Sequence, residues 1–140
     1  MRAEEMILIK AEALEMSGGD GKTVLEDFVK TNRDPQYVCP ATSGIAFQNE
    51  VWKQRRIELW GEGFAMSDIM RLNKNMVRVV AGKKTNLPPS FQFNIEAGNP
   101  WLLLRFPQQE TNSNPDVVQN EGGTQPFEGD GANLRDGITD

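Results

Sequence analysis

Trp52 to Arg71 reads WKQRRIELWGEGFAMSDIMR. The adjacent arginines Arg55 and Arg56 stand beside Glu58 and Glu62, with Ile57, Leu59 and Trp60 interleaved. A solvated charged face rarely carries two tryptophans, and an apolar core rarely carries four charges. The combination predicts a helix whose charges are held in place by packing, with arginine forks on carboxylates. Glu58, Glu62, Glu5 and Glu12 are candidate partners for Arg55 and Arg56. Asp68 and Arg71, three residues apart, are able to pair on the next helix. The predicted structural ion-pair network is therefore Arg55, Arg56, Glu58, Glu62, Asp68 and Arg71.

The surrounding sequence is mostly helical in pattern. Ser43 is a plausible N-cap for the helix containing the double arginine, which should run to about Trp60, where Gly61 and Gly63 break the pattern. A shorter helix follows from about Ala65 to Asn75. Upstream, Arg2 to Ser17 shows Ala3, Ile7, Ala11 and Leu14 at helical spacing, stopped by Gly18-Gly19. Asp20 then caps a helix to about Asn32 with the stripe Val24, Leu25, Phe28 and Val29. So short a connection predicts an antiparallel hairpin. Arg33 to Thr42, with two prolines, reads as a loop. Met6, Ile7, Leu8 and Ile9 are consecutive and point around most of a helix, so a neighbouring helix would leave part of that surface uncovered.

Beyond Asn75 the helical period is lost. Phe91, Phe93 and Ile95 alternate with Gln92 and Asn94 and predict a short strand. WLLLRF, Trp101 to Phe106, is an apolar run that must pack on something. The last ~20 residues have little apolar surface to offset ordering entropy and read as a flexible acidic, glycine-rich tail. The expected fold is mainly α: tetratricopeptide-like helical hairpins with an irregular, loop-rich C-terminal segment, organised as 1–120 plus a tail at 121–140.

Composition narrows the chemistry. The 140-residue chain is the length of one domain and carries a net charge of −5. That charge disfavours phosphate backbones and anionic lipid as docking partners. The chain has no histidine and a single cysteine, Cys39. Histidine zinc sites, Ser-His-Asp triads, Cys-His dyads and an internal disulfide are thereby excluded. The N-terminal MRAEEMILIKAEALEM is too charged for a secretory signal, and no run approaches the ~18 apolar residues of a membrane span. Taken alone this predicts a cytoplasmic chain. The helical pattern that begins without a cap suggests instead a piece of a longer one.

Glu58 and Glu62 lie one turn apart, so an acid/base pair for glycoside hydrolysis has to be weighed. Catalytic carboxylates flank a substrate from opposite sides, whereas neighbours on one face usually serve local electrostatics, and the ion-pair reading is preferred. Trp52, Trp60 and Trp101 could stack on sugar rings. Core packing is preferred for Trp52 and Trp60, while Trp101, beside Asn99-Pro100, stays a weak candidate ligand contact. Asp130, Asp136 and Asp140 lie among glycines without EF-hand spacing, and read as a solvated tail rather than a calcium site. Asn112, Asn114 and Asn120 near Pro115 fit Asx-turns. No cofactor is expected.

Three blocks resemble the C-terminal part of the SusD/RagB family of nutrient-binding outer-membrane lipoproteins. In RAEEMILIKAEA the matching residues are Glu5, Leu8, Ala11, Glu12 and Ala13. In WKQRRIELWGEGFAMSDIMR they are Arg55, Arg56, Glu58, Leu59, Glu62, Gly63, Asp68 and Arg71. In FPQQETNSNPDVVQN they are Pro107, Glu110, Asn114, Pro115, Gln119 and Asn120. Gln54 stands where the family usually has Glu, Ala65 where it usually has Arg, and Phe106 replaces Ile. Family members are several times longer, so the resemblance implies a fragment of a larger SusD-like α fold. It further implies a non-catalytic, surface-exposed lipoprotein of a Bacteroidota-like outer membrane. Such a protein captures glycans or other nutrients as the lid of a SusC-like TonB-dependent transporter, held to the membrane by a lipid anchor that this chain lacks. No ligand-binding position of the family falls on a motif here. The competing readings are a generic tetratricopeptide-like protein-interaction scaffold and a glycoside hydrolase using Glu58 and Glu62.

Overall fold

The computed structural model describes residues 2–41 and 43–138; Thr42 and Asp140, named above, lie outside the described residues. The described chain is mainly helical, with five α-helices: α1 Ala3–Met16, α2 Gly21–Asn32, α3 Gly44–Glu58, α4 Phe64–Arg71 and α5 Gln108–Ser113. It divides into two compact units, Met1–Asp68 and Ile69–Asp140. The boundary expected at residue 120 does not coincide with that division.

In the first unit, α1 ends where the glycines predicted. Gly18 takes a left-handed φ of 82°, Gly19 donates its amide to Leu14 O at 2.7 Å, and Gly18 donates to Glu15 O at 3.1 Å. This paired closure satisfies two carbonyls that the helix would otherwise leave bare. Asp20 then caps α2, its Oδ1 accepting the Thr23 amide at 2.9 Å. The two helices pack as a hairpin, and α3 packs on α1. Close approach at the hairpin's corner requires Gly21, because a Cβ there would lie 2.1 Å from Ala11 O.

The core of this unit holds Leu8, Ala11, Leu25, Phe28, Val29, Cys39, Phe47 and Val51. The buried face of α1 is Leu8, Ala11 and Glu12, whereas Ala3 and Ile7 of the predicted stripe are exposed. Met6, Ile9 and Met16 are exposed as well, the uncovered surface expected from four consecutive apolar residues. Helix α3 stops at Glu58, two residues before Trp60, and Gly61 and Gly63 turn the chain at φ of 79° and 84°.

Helix α4 closes at Arg71 rather than Asn75. Asn73 adopts a left-handed φ of 49°, and the Lys74 amide reaches Ile69 O at 2.9 Å. Asparagine is the side chain after glycine that most readily takes this conformation. The strand predicted at 91–95 does not form among the described residues. Ile95 makes one antiparallel bridge with Met76, with amide bonds of 3.0 and 2.9 Å. Phe91 is drawn into a single 3-10 turn, Pro89–Phe91. The buried Asn94 side chain takes the place of strand neighbours: Oδ1 accepts the Arg78 and Val79 amides at 2.7 and 2.9 Å, and Nδ2 donates to Val79 O at 2.8 Å and Gly131 O at 3.0 Å. Phe93, Ile95 and Leu102 pack with Met76 as a small core.

The stretch read as part of a flexible tail bonds to this core. Gly129 donates to Gln92 O and Asn94 donates to Asp130 O, both at 2.9 Å. A Cβ at Gly123 would lie 2.6 Å from the Trp101 amide nitrogen, so the chain passes there only as glycine. Main-chain bonding and close glycine approach thus hold a segment poor in apolar side chains. Asp136, expected in solvent, is buried, with Oδ1 accepting the Ile138 amide at 2.8 Å. Among the described residues no helix is long and apolar enough to cross a membrane.

Candidate functional site

The predicted charge network runs from the end of α3 through the glycine turn into α4. Arg55 is 5% exposed and Asp68 2%, and Arg55 Nε donates to Asp68 Oδ2 at 2.8 Å. The partner of Arg55 is thus Asp68, not the glutamates named as candidates. The glycine turn brings Asp68 back toward α3, a tertiary event that i, i+4 spacing does not encode. A buried pair of this kind gains little net stability over apolar packing, but removing one partner strands the other charge. Among the described residues, Arg55 Nη1 is buried without a hydrogen bond, so the pair is incompletely satisfied.

Glu58 and Glu62 are held by other cations. Arg2 Nη2 lies 3.1 Å from Glu58 Oε1, and Arg2 Nη1 bonds Glu62 Oε1. Arg33 Nη1 lies 2.7 Å from Glu58 Oε2, while its Nη2 bonds the Gln54 amide oxygen. The bonds from Glu62 and then Glu4 raise the Arg2 pKa above its ordinary value. Arg56 lies over the Trp52 ring, 5.2 Å from its centroid, a cation–π contact. Arg71 ends α4. Sequence reasoning left Arg2 and Arg33 out of the network, because both approach Glu58 from outside α3.

A second polar cluster escaped the sequence reading. Tyr37 Oη donates to Glu50 Oε1 at 2.7 Å, and Gln54 Nε2 donates to the same oxygen at 2.8 Å. Burial alone would raise the Glu50 pKa, but the Gln54 and Tyr37 bonds outweigh it and bring the carboxyl below its ordinary value. Burial, and then the Glu50 bond, push Tyr37 well above its own.

The tryptophans separate. Trp52 is core, but Trp60, expected to pack, is 85% exposed just past the end of α3. Trp101 is 37% exposed and meets Phe93 edge-on at 6.0 Å. Its place is set by Asn99, whose Oδ1 accepts the Trp101 amide at 2.8 Å. In the third motif block, Gln119 clamps the Phe106 main chain: it accepts the amide at 2.9 Å and donates to the carbonyl at 3.0 Å. Asn120 Nδ2 donates to Leu104 O at 2.6 Å. Asn114 Oδ1 accepts the Asp116 amide at 3.2 Å, the expected Asx-turn. Among the described residues no group of three or more His, Cys, Asp or Glu side chains is placed to hold a metal ion.

No protein-family model matches the chain, and neither the curated proteins nor the solved structures contain a match.

Proposed function

We propose that this chain is the C-terminal region of a SusD-like fold, a tetratricopeptide-like array, and serves as a non-catalytic glycan- or nutrient-binding component of an outer-membrane uptake system. Its partner is a SusC-like TonB-dependent transporter, and the whole protein is a surface-exposed lipoprotein. The observation that carries the reading is the ordered set of three motif blocks. Their polar residues bond within the chain, which supports it: Arg2 of the first block holds Glu58 and Glu62 of the second. Gln119 and Asn120 of the third hold the main chain at Phe106 and Leu104. Motifs kept for architecture are expected to spend their polar groups in this way.

The same contacts weigh against the hydrolase reading. Catalytic carboxylates flank a substrate from opposite sides, whereas Glu58 and Glu62 both bond the one guanidinium of Arg2. The scaffold reading keeps one observation of its own, the exposed apolar side of α1 at Met6, Ile9 and Met16.

The test is co-purification. The tagged chain, co-expressed with a SusC-like TonB-dependent transporter of a Bacteroidota outer membrane, is expected to elute with it from detergent extract. Elution apart from every such transporter, together with retention of helical peptides on the α1 face, would favour the scaffold.

A further inference from the structure

In the second unit, the stretch 124–134 closes a cleft of about 370 Å3 against 94–99. Its wall is set by the main-chain bonds from Asn94 to Asp130 O and from Gly129 to Gln92 O. A Cβ at Gly131 would lie 2.7 Å from Asn94 O, so only glycine permits this approach. Asp130 Oδ2 accepts the Phe127 amide at 2.8 Å and fixes the turn that carries the Phe127 ring. Bonds within the protein thus position the lining before any ligand arrives, which lowers the ordering cost of binding.

The lining chemistry is selective. Phe127 is 70% exposed and offers an apolar ring beside the exposed Glu96, Thr124 and Gln125. No lysine or arginine lines the cleft, and Glu96 and Asp130 repel an anion. A ligand with one apolar C–H face and several hydroxyl donors satisfies both halves of this surface. The C–H face rests on the ring, while carboxylate and amide oxygens accept the hydroxyls. The volume falls near the lower end of the ~300–1,000 Å3 of small-molecule sites, which suits a short ligand.

We propose that this cleft is a subsite for a neutral oligosaccharide, with Phe127 as the stacking platform and Glu96 and Gln125 as hydroxyl acceptors. The proposal deepens the nutrient-binding reading and rests on it for the choice of a saccharide over other polyols. The site escaped sequence reasoning because one of its walls, 124–134, falls in a segment that read as a flexible tail.

The whole chain, isotopically labelled, is titrated to millimolar concentration with neutral gluco-, manno-, xylo- and galacto-oligosaccharides, and separately with spermidine. The expected result is saturable amide shifts at 94–99 and 124–131 with at least one saccharide. Phe127→Ala and Glu96→Gln are each expected to weaken that binding about tenfold or more with unchanged melting temperature. Saccharide binding that survives both substitutions overturns the subsite and leaves the nutrient-binding reading standing. Spermidine binding without saccharide binding overturns the ligand class. Absence of any saccharide binding overturns the subsite, while transporter co-purification judges the broader reading separately.

Discussion

Arg55 and Asp68, thirteen residues apart, form a buried ion pair at 2.8 Å that fastens α4 to the end of α3. Asp68→Ala leaves the Arg55 guanidinium buried without its carboxylate and is expected to cost about 3–5 kcal/mol. The joint replacement Arg55→Met with Asp68→Leu removes both charges and is expected to recover most of that loss. Urea unfolding of the two single variants and the double closes the cycle. A cost below about 1 kcal/mol for Asp68→Ala would mean that the pair is solvated.

Tyr37 reports on its own environment, because it is the only tyrosine in the chain. Burial, and then the bond to Glu50, hold its proton well above the ordinary value of about 10. In the unfolded chain the phenol ionises near that value while the folded state keeps its proton, so stability is intact below pH ~10 and falls as pH rises beyond it. Glu50 works in the opposite range. Its lowered pKa adds stability above the ordinary carboxyl value of about 4.3, and this is lost as pH falls through the folded value. Tyrosinate absorbance is expected to appear together with unfolding, and Tyr37→Phe to flatten the alkaline limb of stability. Reversible ionisation near pH 10 with the helical signal intact would contradict the Tyr37–Glu50 bond.

Gly21 and Gly18 separate steric contact from backbone conformation. At Gly21 an added Cβ would meet Ala11 O at 2.1 Å, whereas at Gly18 nothing lies within reach and only the positive φ is strained. Gly21→Ala is expected to cost about 3 kcal/mol through displacement of α1 from α2. Gly18→Ala is expected to cost about 1 kcal/mol. Equal denaturation midpoints for the two variants would argue against the close helix contact.

These elements show which features were legible in the sequence. The Gly18-Gly19 stop and the Asp20 cap were readable because each is closed by residues within five positions. The Arg55–Asp68 pair was not, since the candidates were glutamates of the same predicted helix and of α1, and the glycine turn supplied a different carboxylate. Alternation at Phe91, Phe93 and Ile95 located two core side chains. It misjudged the backbone because Asn94 uses its side chain amide where a strand would use neighbours. Trp60 followed the helical period on paper but falls beyond the last turn of α3. Residues 123–134 carry too few apolar side chains for a pattern to register, and their bonds are made by main chain and glycine.

The uncovered side of α1 has a consequence in solution. Met6, Ile9 and Met16 are exposed on one helix, and a contiguous apolar patch of a few hundred Å2 marks an association surface. The isolated chain is expected to self-associate or to bind an apolar dye, and Ile9→Glu with Met16→Glu to abolish both. Monomeric light scattering without dye binding would count against this surface as an interface.

In the proposed role, the glutamates of the arginine-rich motif hold structure while the protein binds a glycan without cleaving it. One incubation with a bound oligosaccharide tests this most directly, with equilibrium binding and reducing-end release followed in the same sample. Saturable binding and no release are expected, in the native chain and in Glu58→Gln alike. Release that disappears in Glu58→Gln while the fold is retained would contradict that role.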